Sequence, residues 1–198
     1  MMLYSKPTSP YARKVRVVAM ELGIGDQLSI ADPPLRNASS PFWQINPSGT
    51  VPALITDDGE LVLESNVICE YLNSQEPDCT LFPSTPALRW RALRLCALGD
   101  ALIGSLVTRF KEGWRPEHMR DQKLIDLEVD RMRSVMDAID RSDLLEDDLN
   151  IGHVSVGCGL SLSDRRFASE DWRKDRERMA RWYEIFERRS SMVSTYAE

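Results

Sequence analysis

The sequence has no long hydrophobic run. Although 42% of its 198 residues are hydrophobic, no apolar stretch approaches the ~20 residues that a membrane-spanning helix needs. The first residues also lack the apolar core and the small-residue cleavage site of a secretory signal. We therefore expect a globular, cytoplasmic protein that does not bind membranes and is long enough to bury a substantial core.

Histidine and paired cysteines are also scarce. The chain has four cysteines and two histidines, and no two cysteines have the Cys-x-x-Cys spacing that is typical of zinc ligands. Three of the four cysteines lie in apolar surroundings. We therefore expect no metal, and thiols that are reduced and mostly buried.

An excess of positive charge is absent as well. The formal net charge is -6, which argues against a nucleic acid as the main partner. Basic residues do cluster at Arg13-Lys14-Arg16 and again within residues 173–189. Acidic residues interleave the second cluster, and such a pattern is typical of a solvated helix face.

The chain changes character near residue 80. Residues 1–76 read as strand, helix, strand, then a loop, then strand, strand, helix, which predicts an α/β domain. Residues 77–87 contain three prolines and predict a linker. Residues 88–198 have helical patterns throughout and predict an all-α domain. The nearly uncharged segment 151–163 predicts the buried central helix of that domain.

The element boundaries follow from apolar spacing and from turn residues. Gly23 is expected to end the first helix by adopting a left-handed backbone. The predicted strands are 3–5, 27–31, 51–56 and 61–63, and the predicted helices are 10–23, 64–73, 87–111, 119–142, 151–163 and 174–190, with one helical turn near residues 42–43.

Ser9 stands between the first predicted strand and the first predicted helix. Pro10 suits the first helical position, because the N–H that proline lacks has no partner there. A helix N-terminus carries unpaired N–H groups and the positive end of the helix dipole, so it stabilises an anion. Two interpretations stay open: Ser9 only caps the helix, or its hydroxyl donates a hydrogen bond to a thiolate that a ligand brings.

Two further stretches bear on this choice. In NPSGTVP, Pro52 leads directly into a strand, which indicates either a cis Val51-Pro52 bond or an ordinary trans proline at a strand start. A cis bond would turn the Val51 backbone outward, where it could pair with an extended peptide. In Glu64-Ser65-Asn66, a hydroxyl meets the N–H groups of a helix start, which suits a carboxylate or simple capping.

These stretches occur together as SPYARKVR, then NPSGTVPALITDDGELVLESNVICEYL, then a proline-rich linker and helices. The set resembles the cytosolic glutathione S-transferases and is most similar to the small bacterial members with Ser-Pro-Phe or Ser-Pro-Tyr at the first helix. The resemblance implies a thioredoxin-like N-terminal domain, an all-helical C-terminal domain and a two-fold homodimer. It places the dimer interface on the helix at 64–73 and the long first helix of the second domain.

The resemblance also assigns roles to residues. Ser9 stands where glutaredoxins have their nucleophilic cysteine, and it would stabilise the thiolate of glutathione, the co-substrate. The neighbouring hydroxyls of Thr8 and Tyr11 are the alternatives for this role. Val51, before a cis Pro52, would pair its backbone with the cysteinyl part of glutathione. Glu64 would hold the ammonium of the γ-glutamyl group, and Ser65 would hold its carboxylate.

Two parts of the implied site are less defined. The glycyl carboxylate has three candidate partners: Arg36, Trp43 and Gln44. The small electrophile is expected between the domains, in a pocket that includes Tyr11, Arg109 and Trp114. For Arg109 and Trp114, packing and surface charge are the alternative explanation.

The sequence departs from the family pattern at two places. Many members have Lys or Arg where Thr50 stands, which would strengthen their contact with the glycyl carboxylate. The family usually begins its central helix with a Ser/Thr-x-x-Asp capping box, whereas here Asn150 and His153 occupy those positions. We expect the second change to affect stability more than chemistry.

The function implied by the resemblance is conjugation of glutathione to a small electrophile. The alternative is an inactive binding or regulatory protein of the same fold, like the stringent starvation proteins, which bind RNA polymerase. Glutathione-dependent disulfide reduction is disfavoured, because Ala12 replaces the resolving cysteine and Ser9 replaces the nucleophile.

Overall fold

The computed structural model describes residues 1–35, 37, 39–76 and 80–196. Its contacts divide the chain into two compact units. The first comprises Met1–Phe82 together with Ser190–Glu198, and the second comprises Pro83–Arg189.

The first unit is built on a mixed four-stranded sheet in the order β2-β1-β3-β4. Strand β1 pairs in parallel with β2 and antiparallel with β3, and β3 pairs antiparallel with β4. Leu3 and Leu54 pair across the two central strands and are fully buried. The strands are β1 (Met2–Tyr4), β2 (Ser29–Ala31), β3 (Ala53–Ile55) and β4 (Leu61–Leu63).

Three helices accompany this sheet: α1 (Pro10–Glu21), α2 (Phe42–Ile45) and α3 (Ser65–Ser74). Helix α1 ends where expected, because Gly23 has a φ of 76°, a left-handed backbone that glycine adopts without steric cost. The predicted order of strands and helices in this unit is confirmed, and no boundary lies more than two residues from its predicted position.

The second unit consists of helices α4 (Pro86–Gly113), α5 (Gln122–Asp140), α6 (Ile151–Arg166) and α7 (Glu177–Phe186). As the sequence predicts, α6 is the central helix, and all its residues from Ile151 to Ser163 are buried. Helices α4 and α6 approach each other closely at Gly99 of α4, because glycine has no side chain to separate them. A Cβ atom built there would lie 2.6 Å from the backbone nitrogen of Val156.

A capping box begins α6 despite the unusual residues. The Asn150 side chain accepts a hydrogen bond from the Gly152 N–H at 2.9 Å, and the Asn150 N–H donates to Nδ1 of His153 at 3.2 Å. His153 therefore reproduces the reach-back bond that a carboxylate usually makes.

The C-terminal segment differs from the expected domain boundary. The sequence predicts one helical domain over residues 88–198, but the short helix α8 (Ser190–Ser194) belongs to the first unit. It packs on α1, where the buried Arg13 guanidinium donates to the Met192 carbonyl at 2.8 Å and to Oγ1 of Thr195 at 3.2 Å. Ser191 also hydrogen-bonds the Glu21 carboxylate at the other end of α1.

The predicted linker, residues 77–87, lies partly outside the described residues, since 77–79 are not described. Its C-terminal end is shorter than predicted, because α4 already begins at Pro86, with Thr85 as the N-cap residue. Within the described ranges, no helix is both long enough and apolar enough to span a membrane.

Candidate functional site

Ser9 is the N-cap residue of α1, and its capping role leaves its hydroxyl proton free. Oγ accepts a hydrogen bond from the Ala12 N–H at 3.2 Å. Within the described residues the Ser9 hydroxyl donates to no other group, and the side chain is half-buried. A hydroxyl oxygen accepts on one side while its proton can donate on the other. The two interpretations of Ser9 are therefore compatible.

The segment before β3 has a cis bond between Val51 and Pro52, which is the first of the two alternatives that the sequence left open. Pro52 is buried and Val51 is half-buried. Val51 lies outside β3, and in the part of the chain described here its backbone makes no hydrogen bond. The backbone groups of Val51 are thus available to pair with a ligand, and its pairing with an extended peptide stays a prediction.

Glu64 and Ser65 meet at the start of α3. Glu64 has a φ of 70°, which is uncommon for a residue with a side chain. Its carboxylate accepts hydrogen bonds from the Ser65 N–H at 2.6 Å and from the Ser65 hydroxyl at 3.1 Å. Ser65 is only 1% exposed, whereas Glu64 is exposed. The helix start therefore binds a carboxylate, and here that carboxylate belongs to Glu64.

The candidates for the glycyl carboxylate lie in and around α2. Trp43 is 41% exposed and packs on Gly49, where an added Cβ atom would lie 2.5 Å from the indole ring. The indole N–H of Trp43 bonds none of the described residues, so it can donate to an anion. Gln44 is exposed, and Arg36 lies outside the described residues.

The three residues predicted for the electrophile pocket fall in both units. Tyr11 lies on α1 and is half-buried. Arg109, on α4, is buried, pairs with Glu170 and stacks on Phe167 at 4.1 Å from the ring centre. Trp114 follows α4, is 55% exposed and contacts Phe110 edge-on at 4.5 Å between ring centroids.

The described ranges contain three buried cysteines and no cluster of potential metal ligands. Cys69, Cys96 and Cys158 are buried and carry thiols outside any disulfide. No group of three or more histidine, cysteine or acidic side chains in those ranges could hold a metal ion.

Two buried cations on α1 were not anticipated from the sequence. Arg13 is 6% exposed and Lys14 is fully buried. Nζ of Lys14 donates to Oδ1 of Asn66 in α3 at 2.8 Å. Their positions among Val15, Val17 and Val18, which are fully buried, are a weak signal that could have been read from the sequence.

A mixed four-stranded sheet with a cis proline before β3, followed in the chain by an all-helical unit, is the glutathione S-transferase fold. The family model for the glutathione S-transferase N-terminal domain matches residues 8–75. The chain is similar to a glutathione S-transferase from Methylobacillus flagellatus KT that was crystallised with glutathione bound. The TM-score is 0.91 and the identity 31%, and the match covers 100% of this chain and 99% of that one. The chain belongs to the glutathione S-transferase family.

Two curated relatives show how diverse the similar proteins are. The uncharacterised GST-like protein YibF of Escherichia coli K12 is 25% identical over 98% of both chains. A stringent starvation protein A homologue of Pasteurella multocida is 33% identical over 129 residues, which cover 65% of this chain and 54% of the relative. The family is therefore established, whereas the Ser-Pro-Tyr subgroup stays a prediction.

Proposed function

We propose that this protein binds glutathione, stabilises its thiolate and conjugates it to a small electrophile. The start of α3, where the Ser65 N–H and hydroxyl already bind the Glu64 carboxylate, is the observation that carries the proposal. The relative from Methylobacillus flagellatus KT, crystallised with glutathione bound, supports it.

The γ-glutamyl group of glutathione carries a carboxylate and an ammonium on one carbon atom. In our proposal, the ligand carboxylate replaces that of Glu64 at the Ser65 N–H and hydroxyl. The Glu64 carboxylate then turns to the ligand ammonium, so that no charge loses its partner in the exchange. The Val51 backbone pairs with the cysteinyl residue, and Trp43 or Gln44 supplies a donor for the glycyl carboxylate.

Ser9 acts on the glutathione sulfur. A free thiol has a pKa near ~8.5, so only about 3% is thiolate at neutral pH. A hydrogen bond from the Ser9 hydroxyl and the N–H groups at the start of α1 favour the anion. Lowering the thiol pKa by about two units corresponds to roughly 2.7 kcal/mol, which is the size expected of one charge-assisted hydrogen bond and a helix terminus.

The thiolate then attacks the electrophile. A carbon–sulfur bond forms, and either a leaving group departs with the electron pair or the electrophile takes a proton from water. Tyr11, two residues from Ser9 on α1, is our candidate for contact with the electrophile. A cytoplasmic location, where thiols are kept reduced, suits this chemistry.

Turnover tests the proposal. The wild-type protein should be retained on immobilised glutathione and should conjugate glutathione to one or more members of an electrophile panel. Ser9→Ala should keep the retention and lose about tenfold to a hundredfold in kcat/KM at neutral pH. Failure of the wild-type protein to bind glutathione at millimolar concentration would contradict the proposal.

The second candidate function is binding of a partner protein without catalysis. The similarity to a stringent starvation protein A homologue favours it, and so does Thr50, which stands where many members have a cation. If the protein is retained on glutathione but turns over no electrophile, glutathione binding stands and conjugation is replaced by partner binding.

We also propose a two-fold homodimer through the region of α3 and the N-terminal part of α4. Several large apolar side chains there are exposed and would suit an interface: Val67 at 53%, Leu88 at 49% and Trp90 at 69%. Sedimentation at micromolar concentration should show twice the chain mass of 22.6 kDa, and a single species at the chain mass would reject the dimer.

A further inference from the structure

Lys14 is a fully buried lysine that the proposed chemistry does not use. It lies on α1 and is among the largest side chains with no exposed surface. Lysine is rarely buried, because removing its ammonium from water is costly unless polar groups replace the water. Nζ donates to Oδ1 of Asn66 at 2.8 Å, across from α1 to α3.

The hydrogen bond joins the two helices near their N-terminal ends. Lys14 lies five residues after Ser9, or about 7.5 Å along the helix axis. Asn66 follows Ser65 directly in α3. The starts of these same two helices are the groups that, in the proposed function, bind the sulfur and the γ-glutamyl carboxylate of one glutathione molecule.

We propose that Lys14 is a positioning residue, which holds the start of α3 in register with the start of α1 through Asn66. This inference rests on the proposed function. In a given bound conformation, glutathione has one distance between its γ-glutamyl carboxylate and its sulfur. A small shift of α3 along α1 would therefore move the sulfur of a bound glutathione away from the Ser9 hydroxyl, and such displacements weaken catalytic contacts strongly.

A directional bond is better suited to this task than apolar packing. Replacing both partners of a buried hydrogen bond by apolar side chains of the same shape can be nearly neutral or stabilising, so stability alone does not require a lysine here. An apolar contact tolerates sliding between two helices, whereas a hydrogen bond from a buried ammonium is restricted in distance and angle.

The test uses the double variant Lys14→Met/Asn66→Leu, which removes the polar pair and keeps the volume. A single Lys14→Met variant is prepared as well, and Lys123→Met, an exposed lysine of α5, is the matched control. Each protein is saturated with glutathione, and the pKa of the bound thiol is read from the ultraviolet absorbance of its thiolate. Melting temperatures are recorded in parallel.

We expect the thiol pKa of bound glutathione to rise by about one unit in the double variant, from about two units below the free value, which lowers the thiolate at neutral pH about threefold. The thiol pKa should stay unchanged in Lys123→Met. Adding Ser9→Ala to the double variant should raise the thiol pKa further by less than it does in the wild-type protein, because the Ser9 contact is already weakened.

Two outcomes overturn different claims. If the wild-type protein does not bind glutathione, the proposed function fails. If the wild-type protein binds it with a lowered thiol pKa, and the double variant has the same thiol pKa and the same response to Ser9→Ala, Lys14 is only structural and the inference is wrong. A lower melting temperature without a change in thiol pKa has the same meaning.

Discussion

Acidification below about pH 6.5 is expected to destabilise the helical unit through His153. This residue is 2% exposed, and its Nδ1 accepts the hydrogen bond from the Asn150 N–H at the start of α6. Only a neutral imidazole with its proton on Nε2 can accept there. Protonation would place two N–H donors against each other and a positive charge at a helix N-terminus, where the dipole is unfavourable.

The surroundings favour the neutral form. Burial lowers the pKa of His153, and this is the largest influence. The positive charge of Arg189 lowers the pKa further, whereas the Leu145 carbonyl and the charges of Asp147 and Asp148 act in the opposite direction. The folded-state pKa of His153 therefore lies below the value of about 6.5 that applies in the unfolded chain.

The sign and size of the effect follow from these two pKa values. At a pH between the folded-state and unfolded-state pKa values, His153 binds the proton in the unfolded chain but not in the folded chain. The free energy of unfolding therefore falls as the pH falls. The slope is at most about 1.4 kcal/mol per pH unit. Above about pH 6.5 His153 contributes no pH dependence, and below its folded-state pKa the loss is complete.

Urea unfolding between about pH 7.5 and about pH 5 measures this slope. Tryptophan fluorescence suits the assay, because four of the five tryptophans lie in the second unit. In His153→Asn the side-chain oxygen can accept the same bond without titrating, so this variant should lose most of the slope. His118→Asn, at an exposed histidine, should keep it. Equal slopes in the wild-type protein and His153→Asn would refute the reasoning.

Two further predictions concern packing and the C-terminal segment. Gly99→Ala should lower the free energy of unfolding by about 1–3 kcal/mol, because the added Cβ atom would meet the Val156 backbone. The control Gly113→Ala should be neutral or stabilising, because a Cβ atom there meets nothing within 4 Å. Equal shifts of the melting temperature in the two variants would contradict this prediction. Thr195→Val removes an acceptor of the buried Arg13 guanidinium and should cost about 1.5–3 kcal/mol in urea unfolding, while the exposed Ser194→Ala should cost almost nothing. Equal losses would show that the bond contributes little.

Local sequence signals predicted much of the fold. Pro52 before a strand, Gly23 after a helix and the uncharged segment 151–163 each indicate a local requirement that the structure meets. A left-handed backbone and a fully buried helix depend on neighbouring residues and on composition, so a single sequence suffices to infer them. Pro52 before a strand fits either a cis or a trans bond, and it is the structure that has the cis form.

Features that depend on distant partners were not predictable. The sequence shows Arg13 and Lys14 only as part of a basic cluster, yet Arg13 bonds Met192, which is 179 residues away. The assignment of α8 to the first unit was unpredictable for the same reason, because the residues that α8 contacts lie on α1, far away in the sequence. In the candidate site, the sequence indicated that the start of α3 suits a carboxylate, but it did not show that Glu64 supplies one.

The central claim is that the starts of α1 and α3 bind one glutathione molecule and that Ser9 keeps its sulfur ionised. The most direct measurement is a pH titration of the thiolate absorbance of glutathione bound to the wild-type protein and to Ser9→Ala. We predict a bound-thiol pKa about two units below that of free glutathione in the wild-type protein. In Ser9→Ala we predict a value between these two, because the N–H groups at the start of α1 remain. Tight binding with an unshifted thiol pKa in the wild-type protein would contradict the account.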